Sequence, residues 1–216
     1  MAIESKNYNE ARGVEEEPSK LYKVIHTEKE IKQRVRDIAE QVIEFAQPND
    51  VFVCLLRGGL FFYADLMKAL CLLEFEGVKL HFLNVHTSKN TSGSHVDVFD
   101  GIFDGNVIGQ IQDGANVWIV DEIMDSGRSV AAVIDWFSVA CRQSAIPAPE
   151  FNTVMMVERA GASHDPRVNH EIVGFVENHK EWFVGYGMDG SDGKLRAMPM
   201  IAIEMPDTEN SDDSDC

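Results

Sequence analysis

Three carboxylates and a glycine-hydroxyl turn follow an apolar run in the middle of this chain. The run "VWIV" begins at Val117 and leads into adjacent acids at Asp121 and Glu122; Asp125 follows, and then "SGRS". Adjacent acids can hydrogen-bond the two hydroxyls of a ribose, or hold Mg²⁺, a hard cation that prefers oxygen ligands. The stretch therefore suits a sugar and a divalent cation better than it suits a buried strand.

The turn after these acids has the features of a phosphate site. The backbone N–H groups of residues 126–129, the hydroxyls of Ser126 and Ser129, and the N-terminus of a following helix can surround a phosphate dianion. Gly127 permits close backbone approach, and Arg128 adds positive charge. Acids for a sugar beside amides for its phosphate predict a site for a phosphorylated ribose.

The apolar pattern indicates how the chain positions this stretch. Helical spacing follows Thr27, a plausible N-cap with Glu30 as its capping-box partner. Short apolar runs typical of buried strands begin at Val51, Val78, Val117, Thr153 and Glu171. Alternation of strands and helices predicts an α/β fold with a doubly wound, mostly parallel sheet. Such sheets bind ligands at the carboxyl ends of their strands, where the acids lie.

The polar stretches divide the chain. We interpret residues 1–20 as a polar lead that is frayed or loosely docked, 21–206 as a single domain, and 207–216 as an acidic disordered tail. Residues 87–114 are polar and rich in glycine. They are too long for an ordinary connection, which predicts a lid over the site.

Charge and cysteine content narrow the class of protein. The formal net charge of −17 over 216 residues argues against nucleic acid or an anionic membrane as the main partner, but not against a small anionic substrate. No run reaches the about 20 apolar residues of a membrane span. Cys54, Cys71 and Cys141 lie in apolar runs and are expected to be buried thiols. The expected location is the cytoplasm.

Four motifs together resemble a known family. The stretch from Val117 resembles the phosphoribosyl-pyrophosphate signature of type I phosphoribosyltransferases. Three more stretches are similar to hypoxanthine–guanine phosphoribosyltransferases: "LLRGGLFFYADLM" from Leu55, "EWFVGYGMDG" from Glu181 and "KLRAMP" from Lys194. The motifs keep the family's order, and the resemblance covers roughly residues 25–205. It implies a small hood made by N- and C-terminal segments, and a mobile lid.

The resemblance also implies how the donor would be bound. The residues that would hold phosphoribosyl pyrophosphate are Asp121, Glu122, Ser126, Gly127, Arg128, Ser129, Arg57, Gly58 and Arg196. Pyrophosphate would bind backbone amides in a loop that often holds a non-proline cis peptide bond, here between Arg57 and Gly58. Mg²⁺ would be held by Asp121, Glu122 and Asp189.

The purine would be bound by a second set of residues, namely Ile123, Arg159, Trp182, Phe183 and Asp189. Trp182 would stack on the ring opposite Ile123, and Phe183 would offer backbone groups to its edge. Arg159 stands where the family has a lysine that reads the purine 6-oxygen. Asp125 would act as general base and take the purine proton, or hydrogen-bond N7.

The implied reaction transfers 5-phosphoribosyl to hypoxanthine or guanine and releases pyrophosphate, in a homodimer or homotetramer. Two alternatives stay open: the same fold acting on adenine, xanthine or orotate, and a non-catalytic regulatory protein that keeps the pocket. The chain departs from the family at three points. The acid pair is Asp-Glu instead of Glu-Asp, Thr87 and Ser88 replace a lid Ser-Tyr, and Arg159 replaces lysine.

Overall fold

Strands and helices alternate along the chain, as the apolar pattern predicts. The computed structural model of the protein describes residues 22–90, 93–99, 107–190 and 194–205. In chain order the elements are β1 (Tyr22–His26), α1 (Glu28–Phe45), β2 (Val51–Leu56), α2 (Leu60–Leu72), β3 (Lys79–Asn90), β4 (Gly93–Phe99), α3 (Val107–Gln112), β5 (Val117–Met124), α4 (Arg128–Gln143), β6 (Phe151–Arg159), β7 (Val168–Glu177), β8 (Phe183–Val184) and β9 (Ile201–Glu204).

The central sheet has six strands in the order β4-β3-β2-β5-β6-β7. Every neighbouring pair is parallel except β3 and β4, which are antiparallel. Alternate residues of β2 face two separate apolar clusters, one shared with α1 and α2 and the other with α3 and α4. Helices therefore cover both faces, which explains the continuous apolar runs of the inner strands. The predicted doubly wound α/β fold is confirmed.

Local signals fix the first helix. The hydroxyl of Thr27 accepts a hydrogen bond from the Glu30 backbone N–H at 3.3 Å, and the Glu30 carboxylate accepts from the Thr27 N–H at 2.8 Å. This is the predicted capping box, which satisfies donors at the helix start. Ile31, Val35 and Ile38 are buried, so α1 presents its apolar stripe to the sheet.

A buried aspartate aligns the two strands that lead to the site. The Asp50 carboxylate accepts hydrogen bonds from the backbone N–H of Asn116 at 2.9 Å and from Trp118 Nε1 at 3.0 Å. These bonds join the start of β2 to the start of β5, with Val51 beside Val117. Since the two strands are parallel and begin in register, their carboxyl ends reach the same edge of the sheet.

A smaller antiparallel sheet, in the order β1-β9-β8, forms the hood. β1 pairs with β9 over residues 22–26 and 201–204, and β8 pairs with the other side of β9. His26 Nε2 lies 2.8 Å from Glu177 Oε1 and links the hood to the end of β7. A hood made from both ends of the described chain was predicted and is confirmed.

Two sequence-based expectations need correction. Residues 87–114 are not one loop, because they contain the end of β3, all of β4 and α3; the backbone pairing of β3 with β4 makes a hairpin out of polar residues. Cys71 is exposed and not buried. The prediction was wrong because α2 is apolar on nearly all sides, so its composition does not tell which side the protein covers. The terminal segments 1–20 and 207–216 lie outside the described residues. None of the described helices is long and apolar enough to cross a membrane.

Candidate active site

The ends of β2 and β5 form one wall of the site. The loop of residues 57–59 follows β2, and Asp121 and Glu122 lie on the last part of β5. The Glu122 carboxylate packs against Gly58 so closely that a methyl group there would overlap it, and a methyl on Gly59 would lie 3.2 Å from Asp121 Oδ1. The two glycines thus bring the loop backbone against the acids.

The two acids crowd each other at this wall. Burial, and then the neighbouring Glu122 carboxylate, raise the pKa of Asp121 well above its ordinary value, while the Arg196 guanidinium opposes the shift. Glu122 Oε2 is buried and has no hydrogen-bond partner among the described residues. A buried carboxylate oxygen without a partner is costly. The pair is therefore suited to a cation or to hydroxyl donors.

The three predicted Mg²⁺ ligands do not converge. Asp189 Oδ2 instead lies 2.6 Å from Arg196 Nη2, and the other terminal nitrogen of Arg196 donates to the Gly187 carbonyl at 2.6 Å. Among the described residues no three acidic, histidine or cysteine side chains form a metal site. Arg196 pairs with Asp189, so of the predicted ligands only Asp121 and Glu122 are adjacent and without an ion pair to a cationic side chain among the described residues.

The loop of residues 57–59 contains the expected kind of peptide bond at a different position. The non-proline cis bond joins Leu56 to Arg57, not Arg57 to Gly58. The predicted position is therefore wrong by one residue. The Arg57 side chain is exposed.

The phosphate turn of residues 126–129 is in close backbone contact with a second segment of the chain. Gly127 has φ of +72° and α4 begins at the next residue, so the predicted helix N-terminus is present. Arg128 Nε donates to Ser126 Oγ at 3.1 Å, within the same turn. A methyl group on Gly127 would overlap the backbone carbonyl oxygen of Ser163, in the segment after β6. This contact with Ser163 is not signalled by the sequence.

The predicted general base and the predicted base reader are partners. Arg159 Nε donates to Asp125 Oδ1 at 2.5 Å. The two other nitrogens of Arg159 donate to the backbone carbonyls of His179 and Glu181, the latter at 3.4 Å, and its guanidinium carbon lies 4.6 Å from the centre of the Phe183 ring. Three predicted site residues are thus brought together, and the fork of Arg159 fixes their relative positions.

Trp182 lies beside this group on the surface. Its side chain is exposed, and its Nε1 donates to the backbone carbonyl of Asp189 at 2.5 Å. Phe183 is buried and pairs with Ile203 in the hood sheet, while Ile123 packs against the core cluster. Stacking of a ring between Trp182 and Ile123 stays a prediction.

The family assignment follows from a match over most of the chain. The phosphoribosyl transferase domain model matches residues 22–190. The chain therefore belongs to the phosphoribosyltransferase family, as its motifs predict. The strand ends, the acid pair and the phosphate turn described above all lie inside the matched range.

Individual relatives are distant but share most of this chain. The bifunctional protein TilS/HprT of Listeria innocua is 25% identical over 191 residues, covering 87% of this chain and 26% of that protein. The hypoxanthine-guanine-xanthine phosphoribosyltransferase of Tritrichomonas foetus is 25% identical over 184 residues, covering 85% of this chain and 91% of that one. This chain therefore spans about a quarter of the Listeria protein but nearly all of the second relative.

A solved structure shows the same fold. The hypoxanthine phosphoribosyl transferase of Trypanosoma cruzi superposes with a TM-score of 0.67 at 22% identity, covering 89% of this chain and 95% of that chain. The hypoxanthine-guanine phosphoribosyltransferase of Bacillus anthracis gives a TM-score of 0.62 at 23% identity, covering 85% and 98%. At these identities the similarity establishes the architecture of the sheet and hood.

Proposed function

We propose that this chain transfers the 5-phosphoribosyl group of phosphoribosyl pyrophosphate to a ring nitrogen of a 6-oxopurine, hypoxanthine or guanine, and releases pyrophosphate. The observation that carries the proposal is the group of Asp125, Arg159 and Phe183 at the carboxyl edge that also holds the acid pair and the phosphate turn. The names of the relatives support the choice of purine.

The donor has a place for each of its parts. The 5-phosphate would bind the amides of residues 126–129 and the helix N-terminus. The ribose hydroxyls would hydrogen-bond Asp121 and Glu122, which supplies partners for the orphaned Glu122 oxygen. The pyrophosphate would bind the amides of Gly58 and Gly59 together with Arg57 and Arg196.

Mg²⁺ fits the acid pair on electrostatic grounds. Asp121 and Glu122 would hold it, because burial and the neighbouring carboxylate disfavour the charged form of Asp121, which a bound cation would favour, and because Mg²⁺ binds through one or two carboxylates plus substrate oxygens and water. When bound, Mg²⁺ would neutralise charge on the leaving pyrophosphate. Asp189 would join only after leaving Arg196, and the protein would then offer Arg196 to the pyrophosphate.

Arg159 favours an oxygen at the purine 6-position. A guanidinium only donates hydrogen bonds, so it complements a 6-oxo group and opposes a 6-amino group. One oxygen of Asp125 accepts from Arg159, which leaves the other free to accept a purine proton as the new bond forms. The Asp125 side chain is 61% exposed, so a base can reach it without displacing the protein core.

Positive charge develops at the sugar carbon as pyrophosphate leaves. The carboxylates of Asp121 and Glu122 would favour this charge, and the amides of residues 58–59 with Arg196 would favour the negative charge on the leaving group.

We also propose a homodimer or homotetramer and a cytoplasmic location, on the resemblance described above.

The test is release of pyrophosphate from phosphoribosyl pyrophosphate in the presence of Mg²⁺ and one base at a time: hypoxanthine, guanine, xanthine, adenine or orotate. We expect turnover with the first two and kcat/KM for adenine lower by at least about 10²-fold, since a site that only donates hydrogen bonds leaves polar groups unpaired against the amino group. Faster turnover with adenine or orotate would overturn the substrate assignment. Donor binding without turnover on any base would favour the regulatory alternative.

A further inference from the structure

A partly buried hydrogen bond links two parts of the site that are far apart in sequence. The hydroxyl of Tyr186 donates to Asp65 Oδ2 at 3.0 Å, where Asp65 lies on α2. The Tyr186 side chain is buried. Burial, followed by the charge of Asp65, raises the pKa of Tyr186, which keeps the hydroxyl protonated as a donor.

Tyr186 lies in a turn with an unusual backbone. Gly185, Tyr186 and Gly187 have φ of +86°, +47° and +106°, in the left-handed region that residues with a side chain rarely adopt. The Tyr186 N–H donates to the Met198 carbonyl at 2.8 Å, and the Gly187 N–H donates to the Arg196 carbonyl at 2.9 Å. A tyrosine in this conformation needs strong contacts on its side chain, and the bond to Asp65 is one.

The same turn touches the loop of residues 57–59. A methyl group on Gly187 would overlap the carbonyl oxygen of Gly58, so the two backbones are in direct contact. Gly187 also accepts the hydrogen bond from Arg196. Asp65 belongs to α2, whose N-cap is Gly59. The Tyr186–Asp65 bond therefore ties the segment of residues 182–189, proposed to bind the base, to the helix that carries the proposed pyrophosphate loop.

We propose that Asp65 and Tyr186 are positioning residues that set the distance between the base and the pyrophosphate loop. The inference rests on the proposed function, which places the bond-forming atoms between these two parts. Each substrate binds one part, so a relative shift leaves each binding site intact but misaligns the reacting atoms. Misplacement by about 1 Å can cost about 10²-fold in rate. The expected signature is a fall in kcat with little change in either KM.

Tyr186→Phe tests the proposal against a matched control. Tyr63 is also buried and also lies on α2, but its hydroxyl donates to the Phe52 carbonyl at 2.9 Å, on β2, and not to a residue near the turn of residues 185–188. Both variants lose one buried tyrosine hydroxyl, so their melting temperatures should fall by similar amounts. We expect kcat to fall about tenfold in Tyr186→Phe, with both KM values within about threefold, and to stay unchanged in Tyr63→Phe.

Substitutions at Asp65 test the other partner. Asp65→Asn keeps an acceptor oxygen and should retain the wild-type kcat, whereas Asp65→Ala should match Tyr186→Phe. The Asp65–Lys68 pair is exposed and contributes little. The double variant Asp65→Ala with Tyr186→Phe should lose no more kcat than either single variant, because both remove the same contact.

A change in KM alone, equal kcat for Tyr186→Phe and Tyr63→Phe, or additive losses in the double variant would overturn this inference while the wild type is active. An inactive wild type would overturn the proposed function instead. Hydrogen exchange then decides the positioning role: Mg²⁺ with pyrophosphate should slow exchange of the Gly187 and Met188 amides in the wild type and in Tyr63→Phe, but not in Tyr186→Phe. Equal slowing in all three proteins would refute the link.

Discussion

Replacing Gly127 by alanine should damage the phosphate turn in two separable ways. The first is conformational, because φ is +72° and alanine is strained in the left-handed region. The second is steric, because the new methyl group would overlap the Ser163 carbonyl oxygen. Backbone carbonyls do not move as readily as the ends of side chains, so the turn itself must shift.

The expected loss of stability can be worked from these two terms. Left-handed strain costs about 1–2 kcal/mol for a residue with a side chain. Forcing extra volume into a packed site costs about 1–3 kcal/mol. The sum is about 2–5 kcal/mol, and for a chain of this size each kcal/mol lowers the melting temperature by about 2–4 °C. Gly127→Ala should therefore melt about 4–20 °C below the wild type, as measured by thermal unfolding.

The steric term also displaces the amides of residues 126–129, which we propose to bind the 5-phosphate. The KM for phosphoribosyl pyrophosphate should rise by about 10- to 100-fold, since a lost hydrogen bond to a charged phosphate costs about 1.5–3 kcal/mol. The KM for the base should change much less. Steady-state kinetics with each substrate varied in turn gives both values.

Gly161→Ala is the control for strain alone. Gly161 lies in the same segment as Ser163 and has φ of +89°, but a methyl group there would meet no atom within 4 Å. Gly161→Ala should lower the free energy of unfolding by only about 1–2 kcal/mol and leave the KM for phosphoribosyl pyrophosphate unchanged. If Gly127→Ala and Gly161→Ala have equal melting temperatures and equal donor KM values, the close approach of Ser163 does not position the turn.

Three further predictions concern charged groups. Asp125→Asn should lower kcat by about 10²-fold or more through loss of the proposed general base. Near-normal turnover would refute that role. The melting temperature of this variant should change little, because Asp125 is mostly exposed. Arg159→Met should lower kcat/KM for hypoxanthine by about tenfold to 10²-fold, as expected for a hydrogen bond to a charged group. Arg159→Lys should recover only part of this, because an ammonium cannot reproduce the planar fork; full recovery would show that charge alone suffices. Arg167 hydrogen-bonds Asp165 and lowers the pKa of that carboxyl. Asp165→Asn should therefore lower the melting temperature at pH 7, and the difference from wild type should vanish as pH falls below about 4 through the lowered pKa; a difference that persists at pH 2 would contradict this ionic origin.

The sequence predicts the parts of the fold and of the site that depend on residues close together along the chain. The capping box at Thr27, the strand ending in Asp121 and Glu122, and the helix starting after Gly127 all arise from local periodicity and turn chemistry. The doubly wound sheet could be predicted from the same local patterns, because alternating strands and helices have few ways to pack.

Contacts between segments that are distant in sequence could not be predicted in the same way. Asp125 and Arg159 are 34 positions apart, and Asp65 and Tyr186 are 121 apart. Whether such side chains meet depends on the path of the whole backbone, which residue types do not specify. The pairing of β3 with β4 was missed because the alternation in β4 is short, with only Val96 and Val98 on either side of Asp97, and lies within an otherwise polar stretch.

The hood has a consequence for how the protein is made on the ribosome. β9, the last described strand to be synthesised, separates β1 from β8 and pairs with both. All six strands of the central sheet are complete at Glu177, so that sheet can assemble while β1 still presents an unpaired edge. Unpaired edges attract other chains. Since the hood supplies Phe183 to the proposed base site, a nascent chain completes that side only once β9 has been made, after the strand ends that carry Gly58, Asp121 and Glu122 are in place.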